Sequence, residues 1–200
     1  IADGTVAFAL KGLSAAVSEF VTLSGDVGFK KVGTQIVATG SGLTARLEAS
    51  GSVYAQIAGA SFGLIADDGK TVFELKATPG SNGAALTVAL DGFASVSAAS
   101  VLVQYSSGLD VSLTDGVAPT LSVGGVSHQY SGAIAAGTVA FALKGMSASV
   151  SEFVTLSGDV GFSKVGSQIV ATGSGVTAKL AAANDVYIQI TGASFGLVAE

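Results

Sequence analysis

The chain repeats itself at long range. Gly4-Thr5-Val6-Ala7-Phe8-Ala9-Leu10-Lys11-Gly12 returns as Gly137-Thr138-Val139-Ala140-Phe141-Ala142-Leu143-Lys144-Gly145, an offset of 133 residues. Under that offset 14 of the 64 positions in 4–67 differ from their partners, and most differences are mild, such as Leu13 for Met146, Arg46 for Lys179 and Ile65 for Val198. The harsher ones fall at 48–52 against 181–185, as expected of an exposed turn. A duplication this faithful constrains the fold strongly, because each unit must pack against a copy of itself. Residues 1–136 read as the first repeat unit and 137–200 as the start of the second. Within the unit, Ala89-Leu90-Asp91-Gly92-Phe93 weakly echoes Ala9-Leu10-Lys11-Gly12-Leu13. The pattern starts and stops mid-unit without distinct capping ends, so the expectation is a window cut from a longer tandem array.

Alternation of apolar and polar residues predicts strands. From Val17 to Phe29, Val17, Val21, Leu23, Val27 and Phe29 fall on one face, and Ser18, Thr22, Ser24 and Asp26 on the other. Phe20 and its copy Phe153 break the pattern by falling on the polar face, which suggests a contact between sheets or chains. Further strands are predicted over 5–10, 34–39, 43–49, 53–58, 61–66, 71–77, 86–90, 101–105, 110–113 and 120–123. Asp67-Asp68-Gly69-Lys70 carries the Asp-Gly pair of a type I′ hairpin turn. Pro79-Gly80-Ser81-Asn82-Gly83 and Thr114-Asp115-Gly116 punctuate in the same way. Residues 94–100 are Ala-rich enough to admit a helix.

No charged or Pro-rich spacer separates the copies, since Gly132-Ala133-Ile134-Ala135-Ala136-Gly137 runs directly into the next Thr-Val-Ala-Phe strand. Abutting units favour a continuous rod over beads on a tether. The predicted fold is therefore all-β: an elongated repetitive rod, either a β-solenoid or a rolled antiparallel sheet, with tandem β-sandwich domains as the alternative. About ten strands shared between two faces would make a unit roughly 25 Å long at the ~4.8 Å strand spacing.

Composition removes several function classes. The net charge is −5 with nine Lys and Arg in all, too few for a phosphate-binding face, so no nucleic-acid partner is expected. The longest apolar run of note, 133–143, is 11 residues and includes Gly137 and Thr138, far short of the roughly 20 a transmembrane helix needs. Any signal peptide is expected to lie outside this sequence, which opens Ile1-Ala2-Asp3. Cysteine is absent and there is one histidine. Disulfides, thiol chemistry and Cys-based metal sites are thereby excluded, and the acid/base inventory is nearly empty.

Two motifs invite a chemical reading. Gly59-Ala60-Ser61-Phe62-Gly63 and Gly192-Ala193-Ser194-Phe195-Gly196 fit G-x-S-x-G, but a nucleophile elbow needs a strand-to-helix turn and a nearby base, and both flanks read as strand. Gly40-Ser41-Gly42-Leu43-Thr44-Ala45 and its copy Gly173-Ser174-Gly175-Val176-Thr177-Ala178 fit G-x-G-x-x-G/A. The dinucleotide mechanism requires a following helix, whereas Gly51 arrives too soon, and a Gly-rich bend or bulge between strands is the better account. His128, in Ser127-His128-Gln129-Tyr130, has no adjacent carboxylate and is read as a partly exposed structural residue. Asp67, Asp68, Asp91, Asp110 and Asp115 fall at turns, where Asp is common. They could also collect calcium, although the nonapeptide and EF-hand loop patterns are missing. No catalytic, cofactor-binding or metal residue is assigned, and no enzyme activity is expected.

The near-identical units, the Gly/Ala/Ser/Thr bias and strands such as Glu19-Phe20-Val21-Thr22-Leu23-Ser24-Gly25-Asp26-Val27-Gly28-Phe29 resemble giant tandem-repeat proteins that bacteria secrete to the cell surface, including type I-secreted adhesins of the RTX kind. The resemblance implies an extracellular, cell-surface structural or adhesive role in a filament or stalk, with a surface or glycan target possible in such proteins. A mean hydropathy of +0.64 leads to the further expectation that copies of the chain associate laterally or end to end. An outer-membrane β-barrel and a carbohydrate-active β-helix protein are the alternatives from other classes.

Overall fold

The computed structural model describes residues 4–17, 20–78, 83–151, 153–182 and 186–200. Its elements are β1 (Thr5–Val17), β2 (Val21–Val32), β3 (Gln35–Ser50), β4 (Val53–Asp67), β5 (Lys70–Ala77), β6 (Leu86–Leu90), β7 (Ala94–Ala98), β8 (Ser100–Ser106), β9 (Thr120–Val123), β10 (Val126–Gln129), β11 (Thr138–Val150), β12 (Val154–Val165), β13 (Gln168–Ala181) and β14 (Tyr187–Ala199). All regular elements among the described residues are strands, and no helix is long and apolar enough to cross a membrane.

Twelve of the strands form one elongated antiparallel sheet in the order β1-β2-β3-β4-β5-β8-β11-β12-β13-β14, with β6 and β7 inserted beside β5 and β8. The long strand β4 pairs β5 along Ala60–Asp67 and β6 along Val53–Ile57. In the same way β11 pairs β8 and then β7. The short strands therefore act as two broken long ones, and the sheet is an up-and-down meander of ten strand positions. It crosses from the first copy into the second without interruption. One unit, from β1 to its copy β11, spans six positions, about 29 Å at ~4.8 Å per strand, and not ten strands folded onto two faces.

The two faces differ sharply. Following partners across the sheet, Val17, Val21, Leu47, Ala55, Val88, Val96, Ala148, Leu156, Ala178 and Ile190 form one apolar row. Nearer the other strand ends, Leu10, Val27, Gly40, Phe62, Leu75, Val103, Phe141, Phe162, Ala171 and Leu197 form another. Phe8 stacks on Phe29 at 5.3 Å and Phe141 on Phe162 at 5.7 Å on this face. The alternate positions are small or polar: Ala9, Gly28, Thr39, Gly63, Glu74 and Gln104 lie in one row on the opposite face.

A line of irregularities crosses the long strands at mid-length. Gly12, Gly42 and Gly59 take φ of +64, +59 and +65°, and their copies Gly145, Gly175 and Gly192 take +57, +59 and +66°, each beside a shift in strand register. These are β-bulges, which bend a strand and need the positive φ that glycine supplies. Asp26 locks the first by accepting the Gly12 N–H at 2.7 Å, and Asp159 repeats this with Gly145 at 2.7 Å. Along this line the apolar face is best buried, in a cluster of Leu43, Ala60, Ala77, Ala85, Ala98 and Val101. Towards the strand ends burial falls away, so that Val17, Leu47 and Phe8 are more than half exposed.

Several sequence-based expectations are corrected. The segments 34–39 and 43–49 are one strand, β3, and 53–58 and 61–66 are one strand, β4, because the intervening glycines make bulges rather than turns. Val17 ends β1 and faces Val21 across a hairpin instead of sharing its strand. Residues 94–98 form β7, with Ser95 Oγ 2.8 Å from Ser149 Oγ of β11, and not a helix. Residues 110–113 contribute an isolated bridge between Val111 and Ile134 in place of a strand. The Asp67-Asp68-Gly69-Lys70 turn has the expected positive φ at Asp68 and Gly69. Pro79, Gly80, Ser81 and Asn82 of the predicted turn lie outside the described residues, as does Ser18.

Candidate functional site

Between β8 and β11 the chain leaves the sheet for residues 107–137 and folds back over the small-residue face of β1–β4, carrying the β9–β10 hairpin. The sequence of the sheet makes room for it. A Cβ on Gly28 would lie 2.5 Å from the Val123 carbonyl oxygen, and one on Gly63 would lie 2.6 Å from His128 Cδ2. Ala9 faces Gly124 of the hairpin turn. Thr39, fully buried, donates its hydroxyl to the Val126 carbonyl at 3.0 Å. Val72, Val111, Tyr130 and Ile134 close a second apolar cluster beneath this strap, and full burial of such side chains stabilises by roughly 1.5–3 kcal/mol each.

At the centre of the contact lies a buried polar group. The side chains of His128 and Glu74 are both inaccessible, and Nε2 of the imidazole is 3.2 Å from Glu74 Oε1. Nδ1 is 3.2 Å from the Ser61 hydroxyl. The Nε2–H tautomer satisfies both contacts, donating to the carboxylate and accepting from Ser61. Glu74 also accepts from the Ser131 backbone N–H at 2.8 Å, the Ser131 hydroxyl at 3.0 Å and Gln104 Nε2 at 2.8 Å. Burial by itself pushes the Glu74 carboxyl up, but the hydrogen bonds from His128, Gln104 and Ser131 outweigh it and hold the group below its ordinary value. Tyr130, edge-on to the imidazole at 5.3 Å, is raised to about 12 by burial and then by the Glu74 charge. Lys76 donates to the Gln129 carbonyl at the margin.

The sequence reading of His128 is thus overturned. The residue is buried, not partly exposed, and it has a carboxylate partner 54 residues away in the chain. The structure also brings Ser61 of the G-x-S-x-G segment to that histidine, giving a Ser–His–Glu order of contacts. The setting differs from a nucleophile elbow, since Ser61 is interior to strand β4 and the imidazole is sealed beneath the strap. What the arrangement accomplishes is attachment: charge-assisted hydrogen bonds tie Glu74 of β5 to His128 and Ser131 of the strap, Ser61 of β4 adds a neutral bond to His128, and Gln104 of β8 braces the carboxylate. Its second-copy equivalent Ser194 lies exposed in β14.

Other singled-out residues find structural places. Gly40-Ser41-Gly42-Leu43 contains the β3 bulge, within a strand and not between strands. Asp68, Asp91 and Asp115 take positive φ in turns, Asp67 accepts from Thr34 at 2.8 Å, and Asp110 accepts the Ala136 N–H at 2.6 Å. Among the described residues no three His, Asp or Glu side chains converge on a metal-sized site. Phe20 and Phe153 sit at the β1–β2 and β11–β12 turns, 61% and 62% exposed.

Among the described residues β1 pairs with β2 alone and β14 with β13 alone, so each presents an unpaired row of backbone groups. β14 carries no charged residue and no proline, and β1 has Lys11 alone. Of the features that usually blunt an edge, β1 has Lys11 and the Gly12 bulge, and β14 has the Gly192 bulge without a charge. No family model matches this chain, and neither a curated protein nor a solved structure matches it.

Proposed function

We propose that this chain is a structural element of an extracellular bacterial surface filament or adhesin stalk, non-catalytic, which assembles with copies of itself through sheet pairing and apolar packing. The observation that carries the reading is the pairing of β11 with β8 and β7 along its length: successive copies share one hydrogen-bonded ladder. A tether between units would bend under load, whereas a ladder transmits it through many backbone hydrogen bonds. The antiparallel meander favours a rolled sheet over a solenoid, and the ladder through both copies favours it over tandem sandwiches. Placement outside the cell rests on the resemblance to secreted repeat proteins.

The offset between copies supports an open sheet over a membrane barrel. The row that begins at Leu10 reaches the second copy at Phe141, whereas the copy of Leu10 is Leu143. Two residues, about 6.8 Å, over a unit about 29 Å wide make a strand tilt of about 13°. Closed barrels tilt their strands by about 35–45°.

Alternation of strand direction lets β14 of one molecule lie antiparallel to β1 of the next, with the apolar rows on the same side. Electron microscopy of the purified protein at rising concentration tests this. The expected result is ribbons in which strands stack along the long axis, with each chain advancing about 48 Å for its ten positions. Ile190→Lys, which puts a charge into the apolar row of β14, is expected to shorten or abolish them. Monodisperse particles at all concentrations would overturn the proposal.

A further inference from the structure

We propose that the small-residue face of the second copy is a docking seat for a β-hairpin with the chemistry of residues Pro119–Tyr130. This goes beyond edge-to-edge growth, because it concerns the sheet face and not the edge. In the first copy four positions of the small-residue row lie under the hairpin: Ala9 against Gly124, Gly28 beneath Val123, Thr39 bonded to Val126, and Gly63 beneath His128. Their second-copy counterparts are Ala142, Gly161, Thr172 and Gly196, identical at all four.

In the second copy these residues touch nothing that explains them. A Cβ added to Gly196 would meet no atom within 4 Å, and one added to Gly161 would meet the Thr172 hydroxyl at 3.1 Å and no backbone closer than 3.9 Å. Neither glycine has positive φ. A strand-interior glycine costs roughly 0.5–1 kcal/mol relative to alanine, so the local fold of β11–β14 favours a side chain at Gly196, and at Gly161 only the Thr172 hydroxyl stands near one. The requirement for close approach is satisfied only by something lying on the face. Thr172 is exposed where Thr39 is buried. A shallow groove of about 250 Å³ runs here, lined by Leu102, Gln104, Ala140, Ala142, Gly161 and Thr172.

The first copy identifies the occupant: a tight hairpin with glycines at its turn, a valine backbone carbonyl offered to a threonine hydroxyl, and a side chain set over the β14 glycine. Within residues 137–200 recognition rests on backbone proximity and the Thr172 hydroxyl.

The test uses the full chain and the peptide Pro119–Tyr130 cyclised head to tail, a closure suited to it because Tyr130 N donates to Pro119 O at 3.0 Å. Cyclisation removes the ordering penalty that would otherwise obscure a negative result. Titration followed by backbone NMR is expected to shift the amides around Gly161, Thr172 and Gly196, and the double variant Gly161→Val/Gly196→Val is expected to weaken binding about tenfold or more. Circular dichroism of that variant checks that the sheet persists, and microscopy checks that ribbon growth does. Shifts confined to Gly28 and Thr39, binding untouched by the double variant, or no binding by the cyclic peptide would each overturn the proposal.

Discussion

Strands β1–β4 and β11–β14 carry nearly the same sequence, yet one set lies beneath a strap and the other does not. Hairpin turns, bulges and apolar rows recur in both. Gly12 and Gly145 are locked by aspartates at the same distance, and Phe8–Phe29 and Phe141–Phe162 stack alike. The contrast lies on the small-residue face, where Gly63 is buried and Gly196 exposed; β14 also lacks the neighbours that flank β4. The sheet therefore forms from its own strands, and the strap is an added layer. Its stability is separable from that of the ladder, and substitutions at paired positions isolate it.

Deleting the imidazole has the largest expected effect. His128→Ala takes one donor from the buried Glu74 carboxylate, a hydrogen bond to a charged group worth about 1.5–3 kcal/mol, and leaves a cavity where the ring packed. The three other donors to Glu74 place the polar part near the lower figure, and the cavity adds to it. Denaturation should show a destabilisation of about 3 kcal/mol, and hydrogen exchange at β9–β10 and over β3–β4 should approach that of β13–β14. Unchanged protection would mean that the apolar cluster alone holds the strap.

Gly63→Val comes next, since its side chain would collide with His128 and Leu121, with an overpacking cost of about 1–3 kcal/mol. Gly196→Val meets open space and should be neutral or stabilise by up to about 1 kcal/mol. Equal effects at the two positions would remove the distinction between a covered and an uncovered copy.

Acid should loosen the covered copy first. Because the folded-state value of Glu74 lies below its ordinary 4.5, its contribution is complete above that pH and is lost as pH falls through the lowered value. His128, Tyr130 and Lys76 are the other ionisable groups at this contact. Strap protection, followed by hydrogen exchange from neutral to acidic pH, should decline there while β11–β14 persist. Glu74→Gln should flatten that acid limb, and an acid limb unchanged in this variant would assign it to other carboxylates.

How far these features can be read from sequence depends on their range along the chain. The repeat, the Asp68-Gly69 turn and the apolar set Val21, Leu23, Val27 and Phe29 all rest on local pattern, and each has its place in the structure. Bulges defeat simple alternation: Leu10 and Leu13 are three residues apart, so a period of two assigns them to opposite faces, yet the extra residue at the Gly12 bulge returns both to the apolar side. The helix considered for 94–100 fails because Ser95 and Ser97 pair with Ser149 and Ser147 of a strand far along the chain. The Glu74–His128 contact is set by strand order and by the path of the strap, neither of which leaves a local signature. The one available signal was a single carboxylate inside Val72-Phe73-Glu74-Leu75, a strand otherwise apolar at that point.

Finer comparisons come from single hydroxyls. Thr39→Val removes the bond to Val126 and should cost about 1 kcal/mol, while Thr172→Val, at an exposed position, should be nearly neutral. Tyr130→Phe should act in the opposite direction from Thr39→Val. The Tyr130 hydroxyl is buried without a hydrogen-bond partner, so the folded state already bears its desolvation, and removing it spares a cost of about 1–3 kcal/mol against loss of a little packing. The expected outcome is a neutral or slightly more stable strap, measured by denaturation alongside Thr39→Val. A loss as large as that of Thr39→Val would mean that the hydroxyl is satisfied in solution, for instance by a bridging water, and that the polar group around Glu74 extends one residue further than the hydrogen bonds among His128, Ser61, Gln104 and Ser131.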